Sequence, residues 1–151
     1  MLRSRLNDAL KDAMKAKESL AVSTLRLILA ALKDRDIAGR SKGNSDGISE
    51  DEILEMLQKM VRQRRDSIEM YTKAGRDELA EREANEIVVI EQFLPQALGE
   101  DEMRAAIDTV IAELDASSIK DMGRVMAELK QRFAGQMDFG KASATVKELL
   151  A

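Results

Sequence analysis

The chain has 151 residues, with 24 Lys+Arg against 28 Asp+Glu, a net charge of −4, and no Cys, His or Trp. Those absences exclude a disulfide framework, a thiolate nucleophile and a cysteine zinc site, and no Ser-His-Asp or Cys-His mechanism can be built from this chain alone. A hydrophobic share of 44% excludes a disordered polymer, and the length suits one domain or two small ones.

Helix is the expected state throughout, because Gly and Pro are sparse and apolar residues recur at helical spacing. Leu2, Leu6, Leu10 and Met14 form an i, i+4 stripe, which predicts a first helix. A second helix starts near Ser19, carries Leu25, Ile28, Leu29 and Leu32, and is expected to end before Gly39. Leu27 lies off that stripe, so burial on more than one side is expected. Residues 39–47 hold three glycines among polar residues and read as a loop. Ser49 to Glu52 is a capping-box signature with three acids in the first turn. A long third helix follows through Ile53, Leu57, Met60, Arg64, Ile68 and Tyr71, with Gly75 as its C′ residue.

Residues 76–79 open a fourth helix, expected to continue through Ile87, Ile90 and Leu94 and to stop at Pro95. The apolar run 87–90 admits a strand at 87–89, set aside because charged helix formers flank it. Residues 95–99 are the expected domain boundary, giving domains 1–95 and 96–151. Beyond it lie a helix at 100–114, a turn at 115–118, a helix through Met122, Val125, Met126, Leu129 and Phe133 ending at Gly135, and a last helix capped by Asp138. No internal repeat and no low-complexity tail is read. The predicted fold is all-α: an N-terminal bundle of about four helices and a small C-terminal three-helix domain.

No long apolar segment occupies residues 1–8, which argues against a secretory signal. The most apolar stretch, 20–32, contains Arg26 and is far short of the ~20 residues of a membrane span. The expectation is a soluble, cytoplasmic chain with no membrane contact.

Charge is uneven. Residues 1–75 sum to +3, residues 76–117 to −9 and residues 118–151 to +2. One basic cluster is Lys59, Arg62, Arg64 and Arg65, interleaved with Asp66 and Glu69 in the manner of a solvated, ion-paired helix face. The other, Lys120, Arg124, Lys130, Arg132 and Lys141, has fewer acids between its members and is the candidate nucleic-acid-binding set. Gly123, beside two of these cations, sits where a helix starts. Either another helix packs closely there, or a ligand approaches the backbone. The acidic groups at 50–52 and 100–102 fall at helix starts, where capping explains them. No EF-hand or P-loop spacing occurs. No catalytic residue, metal site or cofactor is expected. Tyr71, the only Tyr, reads as a core or boundary residue.

Residues 91–98, with Phe93 in place of the usual Tyr followed by Leu94 and Pro95, resemble the "YLP-x-x-L" segment of the GatB/YqeY family of small bacterial proteins. Asp121, Met122, Gly123, Val125 and Met126, then Leu129 and Gly135, resemble its "DMGKVM…L…G" segment. Residues 25–28 and 74–80 also fit. After Gly135 the match is limited to Asp138. The resemblance implies an all-helical protein whose C-terminal part is similar to the tail domain of the GatB and GatE subunits of tRNA-dependent amidotransferases. There the tail contacts tRNA, while the chemistry lies in a cradle domain that nothing here resembles.

Three functions follow as expectations. The first is a non-catalytic tRNA- or RNA-binding accessory protein. The second is a component of a glutamine-dependent amidotransferase, a carbon–nitrogen ligase. The third is a helical adaptor between proteins. The partners implied are tRNA, amidotransferase subunits or factors of aminoacyl-tRNA synthesis.

Overall fold

The computed structural model describes residues 1–151. It is all-helical: α1 (Leu2–Lys15), α2 (Ser19–Arg40), α3 (Glu50–Lys73), α4 (Asp77–Glu91), α5 (Glu100–Glu113), a 3-10 turn (Ile119–Asp121), α6 (Met122–Arg132) and α7 (Phe139–Leu150). The chain divides into two compact units, Met1–Leu94 and Pro95–Ala151. Each has its own core. The first is built on Leu6, Ile28, Ile53, Leu57 and Ile90, and the second on Ile107, Val110, Val125, Leu129 and Val146.

In the N-terminal unit, the i, i+4 stripe of α1 does not hold to its end. Met14 is half exposed, and Ala13 is buried in its stead. Each step of four turns about 40° past a full helical turn, so Met14 has drifted about 120° from Leu2. Helix α2 runs through Gly39 to Arg40 rather than stopping before the glycine. Gly39 lies in the last turn, where its carbonyl takes the amides of Lys42 and Asn44 at 3.1 and 3.0 Å. Leu27 is 50% exposed, so the second buried side expected of α2 is absent. Residues 87–89 are helical, and Val88 points outward.

The ends of α3 follow the expected chemistry. Ser49 and Glu52 form the reciprocal capping box. At the other end the Arg76 amide reaches the Tyr71 carbonyl at 2.8 Å and the Gly75 amide reaches Thr72 at 3.1 Å. That is a Schellman closure with Gly75 at C′. Helix α4 ends at Glu91, short of Leu94. The Phe93 and Leu94 amides turn back onto Ile90 and Glu91 at 3.1 Å each. The residue before a proline is disfavoured in the α region, so the helix loosens ahead of Pro95. The turn buries Phe93, and Arg5 lies 5.5 Å from its ring centroid.

Two charged contacts fix the unit. Arg64 Nε donates to Glu86 Oε2 at 2.9 Å, and both side chains are largely buried. Arg3 donates to both oxygens of Asp36 at 2.6 and 2.7 Å and to the Ile48 carbonyl at 3.0 Å. The Ile48 amide returns a bond to Asp36 at 2.9 Å. Gly47 adopts φ +91°, and a Cβ there would stand 2.6 Å from an Arg3 nitrogen. Only glycine fits both the left-handed backbone and the guanidinium beside it.

Arg64→Leu alone should destabilise the N-terminal unit by about 3 kcal/mol, because Glu86 is left charged and buried. Arg64→Leu with Glu86→Leu should recover most of that loss, as read by chemical denaturation. The Arg3 guanidinium holds the Asp36 carboxyl down at about 2. An unfolded Asp titrates near 3.9. The stabilisation from Asp36 is therefore complete above about pH 4 and disappears as pH falls through about 2. Asp36→Asn should cost about 1–3 kcal/mol at neutral pH and should flatten the acid limb of the stability profile.

Candidate nucleic-acid interface

The C-terminal unit carries the candidate set. Its three helices surround a small aliphatic core, with α6 supplying Val125 and Leu129 and α7 supplying Ala142 and Val146. The 3-10 turn before α6 was not anticipated. It is held by Asp121, whose carboxylate accepts from the Ser117 and Ser118 amides at 3.0 and 3.3 Å and from Arg124 at 2.9 Å. The Ser117 amide, with the Arg124 guanidinium second, lowers the Asp121 pKa. Asp138 caps α7 as expected, accepting from the Gly140 amide at 2.9 Å and the Lys141 amide at 3.4 Å.

Of the five expected contact residues, two are already engaged. Arg132 bonds Glu113 at 2.6 Å and Glu128 at 2.7 Å, and these carboxylates raise its pKa. It ties α5 to α6 and is a structural cation. Arg124 is shared with Asp121. Lys120, Lys130 and Lys141 are exposed, with no salt bridge to a carboxylate. The set does not lie on one helix face. Lys130 is six residues beyond Arg124, about 120° round the axis, and Lys141 opens the next helix.

The N-terminal cluster is not a free basic patch. Arg64 is buried against Glu86, and Arg65 meets Glu91 at 3.3 Å. Both partners come from α4, rather than from Asp66 and Glu69 on the same helix. An open groove of about 600 Å³ lies in the same unit between the starts of α2 and α4, lined by Leu20, Ser23, Glu81 and Asn85 among others. No group of three or more carboxylates gathers where a metal ion could be held. No helix is long and apolar enough to cross a membrane.

Gly123 does not serve the close helix packing proposed for it. A Cβ there would meet nothing within 4 Å. Glycine in a helix costs up to about 1 kcal/mol relative to Ala, and no intramolecular contact explains the choice.

An internal repeat was also missed. Residues 121–130 and 138–147 align at a fixed offset of seventeen, with Asp, Gly, Ala and Lys identical at 121/138, 123/140, 127/144 and 130/147. Arg124 matches Lys141, and Leu129 matches Val146. From Met122 to Gln131 and from Phe139 to Glu148, residues pass through half-buried, exposed and buried in the same order. Four identities in ten are too few to notice in sequence, and the shared burial pattern makes the match visible. It adds Lys147, outside the expected set, as the counterpart of Lys130.

These features define a small all-helical protein of two units, with a basic helix pair at its C-terminus. A family model described as Yqey-like protein matches residues 3–150, and the chain belongs to that family. It is 32% identical over 137 residues to "Altered inheritance of mitochondria protein 41, mitochondrial" of Kluyveromyces lactis, covering 89% of this chain and 68% of that one. The protein of the same name from Eremothecium gossypii is 31% identical over 152 residues, 98% of this chain and 80% of its own. The Lachancea thermotolerans relative is 33% identical over 117 residues, and the match spans 60% of its length.

These names overturn the cytoplasmic expectation, since the relatives are designated mitochondrial. Low hydropathy at residues 1–8 bears only on an apolar secretory segment. Mitochondrial transit sequences are amphipathic and Arg-rich, so low hydropathy is no evidence against them.

Asp138→Ala should lower the stability of the C-terminal unit by about 1 kcal/mol through loss of the α7 cap. Thermal unfolding followed by circular dichroism checks this.

Proposed function

We propose that the chain is a non-catalytic accessory protein that binds tRNA, or an RNA of similar shape, through its C-terminal unit. One observation carries the reading. Helices α3, α4 and α5 begin with acids in the first turn, as their dipoles favour. Helices α6 and α7 each have an acid only at the N-cap, Asp121 and Asp138, and carry Arg124 and Lys141 in the first turn. Helices α1 and α2 also lack first-turn acids. A cation at the positive end of a helix opposes folding. Arg124 is already met by Asp121 at 2.9 Å, whereas Lys141 has no salt bridge, so an anion docking at the start of α7 would relieve it. The resemblance of residues 120–135 to an amidotransferase tail supports the same reading, because in those enzymes the tail contacts tRNA. With no His or Cys in the chain, neither a thiolate nucleophile nor a histidine base for a glutaminase is present.

The test is a filter-binding titration with bacterial tRNA and with mitochondrial tRNA, at low and at moderate salt. Binding at micromolar or tighter Kd is expected, weakening steeply as salt rises. Lys120→Ala, Lys130→Ala and Lys141→Ala combined should weaken it by roughly tenfold or more and reduce the salt slope by about 2–3. Arg132→Ala should change Kd little, because that residue is held by Glu113 and Glu128. A titration that stays flat at low salt overturns the reading. Capture of an amidotransferase subunit, without RNA binding, would favour an adaptor or complex component instead.

A further inference from the structure

We propose that α6 and α7 are two copies of one RNA-contacting face, each laid along the phosphate backbone of a structured RNA. The proposal rests on the RNA-binding reading above and extends it to a duplicated surface that includes Lys147. Each copy presents the same outward series, a glycine, a cation, then Ala and Lys at three-residue steps, starting at Gly123 and at Gly140. Every member of both series is exposed, and neither series contains an acid.

The pattern of agreement carries the argument. In two helices shaped only by folding, the buried positions should agree and the exposed ones should drift. Here the agreement is selective, since Arg124/Lys141 and Gln131/Glu148 differ among the exposed pairs. The buried pairs differ, Val125 against Ala142 and Leu129 against Val146, while the exposed Gly, Ala and Lys are identical. Folding does not call for Gly123, whereas at Gly140 the α7 cap favours a residue without a Cβ. A Cβ at Gly123 would meet open space, and one at Gly140 would meet only the capping oxygen of Asp138, at 3.1 Å. Small residues between cations leave the helix backbone bare, which lets a second backbone approach while the long side chains reach past it.

Charge selects a polyanion as the occupant. Gly123, Ala127 and Lys130 share one face of α6 over about 10 Å, with Arg124 flanking it, so the surface spans more than a single phosphate. Stacking on bases is not provided for. Phe133 and Phe139 are half buried against the unit's core, and neither series contains an aromatic residue. Single-stranded RNA is gripped largely through such stacking, whereas folded RNA is read through its backbone and shape. The occupant is therefore a folded RNA.

The full chain carries the test, with Gly123→Ala, Gly140→Ala, Lys130→Gln and Lys147→Gln made singly and in matched pairs. Thermal unfolding should show Gly123→Ala at least as stable as the parent, and Gly140→Ala lowered by no more than loss of the α7 cap. Their tRNA Kd should nonetheless weaken by roughly three- to tenfold each. Equivalent changes in α6 and α7 should agree within about twofold, and paired changes should multiply. Lys130→Gln and Lys147→Gln should each lower the salt slope by about one. Failure of the parent chain to bind any RNA would sink the RNA-binding reading and this proposal with it. Parent binding that the Gly→Ala and Lys147→Gln variants leave unchanged would overturn the duplicated face alone. Equal affinity for a single-stranded poly-uridine would overturn the folded-RNA occupant.

Discussion

The N-terminal unit depends on a charge it hides. Glu86 is 7% exposed and is met by Arg64 from the neighbouring helix. A buried carboxylate without a partner is untenable, so α3 and α4 accept only a register that brings these two side chains together. Arg64 also donates to the Met60 carbonyl at 3.1 Å, which holds its own rotamer. Arg82 and Glu83 stand close by at 3.8 and 3.9 Å and extend the pair into a small network. The apolar contacts of Leu57, Ile87 and Ile90 supply the bulk attraction, and the ion pair decides which of several similar packings is used.

Local chemistry was largely legible in the sequence, and tertiary chemistry was not. The Ser49–Glu52 box, the Gly75 closure and the Asp138 cap involve residues two to five apart, and a single sequence shows them directly. Arg64 and Arg65 illustrate the limit. Helical spacing sets Arg65 beside Asp66 and Glu69 on its own helix, yet its partner Glu91 lies 26 residues away, and Glu86, the partner of Arg64, lies 22 residues away. Leu27 and Met14 fail for a related reason. An apolar residue is compatible with burial, but exposure is decided by whether another element arrives to cover it. Among the candidate site residues, Lys120, Lys130 and Lys141 stay exposed as a surface reading requires, while Arg132 was lost to Glu113, an acid on another helix. Gly123 was flagged correctly as unusual. Its explanation needed the coordinates, which show empty space where a packing contact was expected.

The two units divide the charge in different ways. In the first, Arg3, Arg64 and Arg65 hold helices together, while others such as Lys11, Lys33 and Lys59 stay exposed. In the second, one arginine is used that way, while the lysines on the outer faces of α6 and α7 are left to solvent. Net charge conceals this difference, because residues 95–151 hold 10 Asp+Glu against 7 Lys+Arg. A whole-chain average describes solubility and long-range steering. It says little about a contact surface a few residues wide.

The burial of Phe93 bears on how the chain is made. Phe93 lies at the end of the N-terminal unit, under Arg5 of the first helix. During synthesis the early helices can form, but their shared core lacks its closing side chain until almost the whole unit has left the ribosome. Domains generally fold as units, N-terminal first. Completion should therefore come abruptly, as the boundary at Pro95 emerges, rather than helix by helix. The C-terminal unit, with its own core and mostly local contacts, then begins folding behind a finished neighbour.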